Sequence, residues 1–231
     1  RKEKLSNFLF KKKFILVFIG LIILLGLAWY IRTANVENLK DITTRDYTLG
    51  PDLDPFLFLR YAKYIVNNGR LMEHDSMRYV PLGYNTAKET RLLPYMIAYF
   101  HLFLNKFSDV SVEYSAVMFP VVMFLLTVVT FFLFVRKVFE KNKYMDLISL
   151  VSTAFLIVSP SLVSRTIAGI PEKESAGFFF MFLAFYFFLY SWKSKKLKNT
   201  ILLAFLAGLS TALMGLIWGG WVYIFVSIAL F

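Results

Sequence analysis

The 231-residue sequence is 58% hydrophobic and 19% aromatic, which is more apolar than a single soluble core of this length requires. It contains no cysteine, so disulfides and thiolate metal sites are excluded. The formal net charge is +11, which in a soluble protein would suggest binding to nucleic acid. In an apolar chain, however, orientation in a bilayer is the first explanation to test. The composition therefore indicates a membrane protein.

The first predicted element is a membrane span over residues 14–31. This run is free of charge, and at the helical rise it covers about 27 Å, close to the thickness of a hydrocarbon core. Lysines occupy positions 11–13 before it, while Trp29 and Tyr30 stand at its far end, as interfacial anchors do. The run is long for a secretory signal and no A-x-A-like cleavage site follows it. We therefore predict a retained span with a cytoplasmic N-terminus.

Further apolar runs predict a polytopic, all-α helical bundle. By the same criteria of length and charge, spans are expected at about 111–135, 147–163, 177–192, 200–217 and 220–231. A long outer loop, residues 32–110, separates the first span from the second. Its periodic apolar stretches predict that it is folded and helical.

The apolar segment 91–107 is ambiguous, because it contains Pro94 and His101. If it crossed the bilayer, the basic clusters at 136–143 and 193–198 would lie opposite the N-terminal cluster. The positive-inside rule therefore favours a peripheral helix. The inner segments then hold 14 basic and three acidic residues, which accounts for the whole net charge. No excess remains to explain, and binding to nucleic acid is not expected.

Two acidic pairs then fall on the same outer face. Asp52 and Asp54 lie in GPDLDPFLFLR, and Glu172 and Glu174 lie in SRTIAGIPEKESAGFFF, each pair near a predicted helix start. One interpretation is simple capping, with Asp54 as the cap and each acid worth about 0.3–1 kcal/mol at a helix dipole. A second interpretation uses both acids of each pair. Opposed hard oxygen ligands suit Mg²⁺ or Mn²⁺, and such an ion would hold a phosphate.

Two arginines lie near these acids. Arg165, seven residues before Glu172, is interpreted as a phosphate clamp, as a neutralising partner of the acids, or as an interfacial residue. Arg60 follows Asp54 by six residues, and we interpret it either as an ion-pair partner across the site or as a solvated residue.

Four stretches, taken in order, resemble the catalytic subunit of oligosaccharyltransferases. Asp54-Pro55-Phe56 with Arg60 resembles the first acidic motif of that family, and SRTIAGIPEKE resembles the second. The stretch HDSMRYVPLG is similar to a later signature of the first outer loop, and GLSTALMGLIWGGWVYIF is similar to a Trp-Gly-Gly span. The resemblance covers about residues 45–225, and its Glu-x-Glu form and short loops resemble archaeal members.

The resemblance implies a fold of the GT-C glycosyltransferase type. It implies a donor oligosaccharide on a polyprenyl (dolichyl) phosphate or diphosphate, and an acceptor protein with asparagine in an Asn-X-Ser/Thr sequon. Carried over by position, Asp54, Glu172 and Glu174 would bind Mn²⁺ or Mg²⁺. Asp54 and Glu172 would also contact the acceptor amide, and Arg165 would lie near the phosphate or the carboxylates. The implied active face is extracytoplasmic, in contact with membrane lipid.

The sequence departs from the family pattern in two respects. Pro171 precedes the second acidic pair, and the sequon-reading Trp-Trp-Asp-Tyr-Gly motif and a later outer-loop glutamate are missing from these residues. Because the chain starts without methionine and stops within an apolar run, we expect a fragment that lacks a C-terminal soluble domain and is inactive alone.

Two other functions compete with this interpretation. One is another GT-C enzyme that uses a polyprenyl-phosphate sugar for O-mannosyl or lipid modification, and the second acidic pair and the Trp-Gly-Gly span argue against it. The other is a transporter, which predicts acidic residues in mid-span. The predicted spans contain none there.

Overall fold

The computed structural model describes residues 2–230, with side chains from residue 14 onward. Within that range the chain forms nine α-helices and one short antiparallel hairpin. The helices are α1 (Lys2–Thr33), α2 (Leu53–Asn68), α3 (Leu92–Leu104), α4 (Val112–Val138), α5 (Met145–Val158), α6 (Pro160–Thr166), α7 (Lys173–Trp192), α8 (Leu197–Gly215) and α9 (Val222–Leu230). The hairpin pairs β1 (His74–Asp75) with β2 (Tyr84–Asn85).

Four described segments are long and apolar enough to cross a membrane: Phe14–Leu39, α4, α7 and α8. Helices α5 and α6 together count as a fifth, bent by 64°. The bend follows from Pro160, which has no N–H and begins α6, while Ser159 before it is extended. The prediction of an all-α bundle with several spans is confirmed. The run predicted as one span at 147–163 contains this break.

The predicted outer loop is folded onto the bundle. Helices α2 and α3 share the main hydrophobic cluster with α4, α7 and α8. Phe58 of α2, Ile97 of α3 and Val121 of α4 are almost completely buried in it. Full burial of such a side chain stabilises the fold by about 1.5–3 kcal/mol. Helix α3, at 13 residues, is about 20 Å long and shorter than a hydrocarbon core.

The two ends of the bundle differ in charge. Helices α4 and α7 both start at one end, and there the 166–172 loop meets the end of α1, with the Ala168 amide donating to the Arg32 carbonyl at 2.9 Å. At the other end, Glu140 accepts from Lys137 at 2.5 Å and from Lys193 at 3.1 Å. The basic α4–α5 and α7–α8 connections therefore share one end, and both acidic pairs lie at the opposite end. The basic side chains of residues 11–13 lie outside the described side chains.

Candidate active site

Two glycines allow the acid-bearing loops to touch. The Gly50 amide donates to the Gly169 carbonyl at 2.9 Å, although the two residues are far apart in sequence. Gly169 has φ +84°, and a Cβ there would lie 2.6 Å from a methyl of Leu39 and 3.1 Å from the Gly50 nitrogen. A Cβ on Gly50 would lie 2.5 Å from the Ile170 side chain. The positive φ and the nearby backbone nitrogen require glycine at position 169, and the contact between the two loops brings Asp52 to Glu172.

Three charged side chains meet where the loops touch. Asp52 is the N-cap of α2, and its Oδ1 accepts from the Leu53 amide at 2.8 Å. Glu172 precedes the first residue of α7, is only 5% exposed, and accepts a hydrogen bond from Arg165 Nη1 at 2.5 Å. The same Arg165 nitrogen lies 3.9 Å from Asp52 Oδ2. The arginine thus bridges the two acids, and about half of its side chain remains exposed.

The two carboxyl groups behave as a coupled pair. Burial, assisted by a hydrogen bond to Asp52, raises the pKa of Glu172 to about 7, although Arg165 acts in the opposite direction. The hydrogen bond with Glu172 and the Leu53 amide lower the pKa of Asp52 below its ordinary value. The charge of Glu174 also raises the pKa of Glu172. The site therefore holds more negative charge than one arginine neutralises, and Glu172 is only partly ionised near neutral pH.

The structure distributes the predicted site residues unevenly. Glu172 and Arg165 are in direct contact. Glu174 lies half-buried in the first turn of α7, close enough for its charge to interact electrostatically with Arg165 and Glu172. Asp54 lies in the first turn of α2 and is exposed. The expectation that Asp54 caps α2 is wrong, because the helix begins at Leu53 and Asp52 is the cap. Asp52, which the sequence interpretation used only as one member of an acidic pair and which received no role from the family motif, is the aspartate that pairs with Glu172.

The carboxylates are the right type of ligand for a hard divalent cation, but few of them lie close together. Paired carboxylates with surplus negative charge are the donors that Mg²⁺ and Mn²⁺ prefer. Among the described residues, however, no group of three or more histidine, aspartate or glutamate side chains is arranged to hold a metal ion. The three expected ligands, Asp54, Glu172 and Glu174, therefore do not form a ready cluster in this part of the chain.

A second ionic cluster lies beside the site and explains Arg60. This arginine forms two hydrogen bonds to the carboxylate of Asp75, one of them at 2.9 Å, and the Tyr61 hydroxyl donates to the same carboxylate at 2.9 Å. Asp75 is fully buried, and these partners, Arg60 foremost, lower its pKa to about 2. Neither interpretation of Arg60 made from the sequence is correct, since its partner is in the β-hairpin.

A helical bundle with four to five candidate spans, and with paired carboxylates and an arginine at one end, defines a polytopic membrane protein with a polar site at an end of its bundle. Residues 14–231 match the family model described as oligosaccharyl transferase STT3, N-terminal, and the chain belongs to this family. The resemblance found in the sequence motifs is thereby confirmed.

Individual relatives are archaeal. The dolichyl-phosphooligosaccharide-protein glycotransferase of Methanocaldococcus jannaschii is 26% identical, over 74% of this chain and 20% of that protein. The Archaeoglobus fulgidus oligosaccharyltransferase in complex with Zn and sulfate shares the fold with a TM-score of 0.73, at 21% identity over 89% of this chain and 26% of that one. Archaeal oligosaccharyltransferase AglB from the same organism, in complex with an inhibitory peptide and a dolichol-phosphate, shares the fold with a TM-score of 0.75. Its sequence is 22% identical, and the match covers 92% of this chain and 25% of that one. The chain thus spans about a fifth of the length of the curated relative.

Proposed function

We propose that this chain supplies the membrane-embedded acidic half of an enzyme that transfers an oligosaccharide from a polyprenyl (dolichyl) phosphate or diphosphate to the asparagine of an Asn-X-Ser/Thr sequon. The observation that carries the proposal is the meeting of Asp52, Arg165 and Glu172 at one end of the bundle. Family membership supports the reaction class. The dolichol-phosphate and the NVT acceptor peptide in solved relatives support the two substrates.

The acids suit the acceptor. A carboxamide nitrogen is a poor nucleophile, because its lone pair is delocalised into the carbonyl. Carboxylates that accept hydrogen bonds from the amide N–H groups weaken this conjugation, and Asp52, Asp54 and Glu174 are the acids available for that contact. Glu172, whose pKa is raised to about 7, accepts such a bond more strongly in its ionised form than in its protonated form.

The arginine suits the donor. Arg165 is anchored through one nitrogen to Glu172 while about half of its side chain stays exposed, so a phosphate can approach it. A Mn²⁺ or Mg²⁺ ion held by Glu172 and Glu174, with Asp54 or Asp52, would stabilise the charge that develops on the leaving phosphate. A lipid-linked donor requires a site at the membrane surface, and the position of the acids at one end of the spans supports this.

The test is peptide glycosylation by the full-length protein that contains this chain, with Mn²⁺ and a lipid-linked oligosaccharide. Glu172→Gln and Asp54→Asn are each expected to slow transfer by about 10²–10³-fold, the usual effect of removing one stabilising group from an active site. Glu37→Gln is the matched control, because Glu37 is an exposed acid at the same end of the bundle. Unchanged transfer by Glu172→Gln would contradict the proposal.

The same assay separates the two aspartates. If the pairing seen here governs the chemistry, Asp52→Asn impairs transfer as much as Glu172→Gln does. If the role carried over from the family motif governs it, Asp54→Asn is the more severe change and Asp52→Asn costs only a helix cap, about 0.5–2 kcal/mol of stability.

A further inference from the structure

Lys173 lies in the sequence between Glu172 and Glu174, where its ammonium could pair with either carboxylate. Its ammonium nonetheless pairs with a more distant acid. Nζ donates to Oε1 of Glu89 at 2.8 Å, across a separation of 84 residues, and it lies 5.7 Å from the centre of the Phe58 ring. The lysine is therefore held on the side of the outer loop.

Glu89 is held in position by two ion pairs. Its side chain is 17% exposed, and its other oxygen, Oε2, lies 3.3 Å from Nη1 of Arg78. Burial acts to raise the pKa of Glu89, but hydrogen bonds from Lys173 and Arg78 outweigh it, so the pKa is lowered. Glu89 thus remains an anion held between two cations from different segments.

We propose that Glu89 is a positioning residue for the reaction proposed above: it holds the Lys173 ammonium away from the carboxylates of Asp52, Glu172 and Glu174. The inference rests on the proposed function, because it assumes that these carboxylates must stay available. A lysine side chain is long and flexible, with a compact charge at its tip. Within a helix, the side chains of consecutive residues do not face each other. Glu172 lies before the helix and has extended backbone, at φ −93° and ψ 167°, so this helical geometry does not keep its carboxylate apart from Lys173.

This role differs from that of a salt bridge that only clamps the loop to α7. A clamp fails equally when either partner is removed. A restraint on Lys173 is needed only while the lysine is present. In the full-length protein, Glu89→Gln should therefore slow peptide glycosylation by about tenfold, whereas Lys173→Gln and the double variant should stay within about twofold of wild type. Arg78→Gln is the matched control, since it removes the other cation from Glu89 and leaves the Lys173 pair in place.

A second measurement does not depend on activity. A zero-length carbodiimide reagent joins an amine to a nearby carboxylate as an amide, takes up the elements of water and leaves as a urea. Peptide mass spectrometry then locates the new bond. The wild-type protein should give a Lys173–Glu89 cross-link. In Glu89→Gln the cross-link of Lys173 should move to Glu172 or Glu174.

The outcomes decide between the two roles. Equal losses in Glu89→Gln and Lys173→Gln, with no recovery in the double variant, would show a clamp and overturn the inference. A Glu89→Gln variant in which Lys173 no longer cross-links to any acid would also overturn it. If the wild-type protein transferred no oligosaccharide, the proposed function would fail, and the cross-link pattern would still show whether Glu89 directs Lys173.

Discussion

The close approach of Gly50 and Gly169 provides the sharpest test of how the site is built. Gly169→Ala places a Cβ at φ +84°, which costs about 1–2 kcal/mol for an L-residue. The new methyl group would also lie 2.6 Å from Leu39 and 3.1 Å from the Gly50 backbone nitrogen, and such overpacking adds about 1–3 kcal/mol. Because one of these neighbours is backbone, relief of the close contact would move the two loops apart by a few tenths of an ångström and weaken their hydrogen bond. We therefore expect a loss of about 2–5 kcal/mol in the free energy of opening this contact.

The assay is amide hydrogen exchange of the purified protein in detergent, followed at residues 166–172 and 49–52, together with thermal unfolding. Two glycines serve as controls. Gly69→Ala introduces the same backbone strain at φ +74° with open space around the Cβ, so it should cost only the strain. Gly208→Ala lies within α8 with open space and should stabilise by about 0.5–1 kcal/mol. If Gly169→Ala exchanged no faster than Gly69→Ala, the argument that these loops require glycine would be refuted.

Three further predictions concern charge and topology. Because the folded-state pKa of Glu172 is raised to about 7, the folded protein binds more protons than the unfolded chain between about pH 4.5 and 7, so stability from this group is lost as pH rises through that window. The unfolding temperature of Glu172→Gln should lack this fall, and a parallel pH profile would contradict the shift. Arg32 donates to the Thr166 hydroxyl and to the Ile157 carbonyl, each at 2.8 Å. Arg32→Met should therefore destabilise the α5–α6 junction by about 1.5–3 kcal/mol, which is more than Thr166→Val should cost. Hydrogen exchange of residues 157–168 measures both effects. Since the chain has no cysteine, single variants Ser76→Cys and Lys195→Cys report topology directly, and an impermeant maleimide should label only the former in intact cells.

The grouping of the acids illustrates what pattern reasoning can achieve. Hydropathy and the distribution of lysines were enough to place both acidic pairs on one face, because each span reverses the side of the membrane. The structure brings them to one end of the bundle. The choice between Asp52 and Asp54 needed the backbone, because the helix starts one residue later than Asp52, which makes Asp52 the cap and leaves Asp54 exposed in the first turn.

Arg60 shows where the pattern gave no answer. Sequence spacing related it to Asp54 in the same helix, whereas its partner is Asp75 in a two-residue strand. The same limit applies to Lys173, whose partner Glu89 lies in another loop. The bend at Ser159 is a different case, because Pro160 stood in the sequence as a signal for it.

The sequence by itself determined the class of protein and the family, whereas the span predicted at 220–231 corresponds only to the nine-residue helix α9. Hydropathy, helix length and motif order are local properties, and the bilayer constrains them strongly because every backbone polar group must be satisfied within a helix. Only the tertiary structure decided which charges meet. Ion pairs between distant loops depend on glycine contacts and helix starts, and their geometry is set by the packing of α2, α4 and α7 rather than by spacing along the chain.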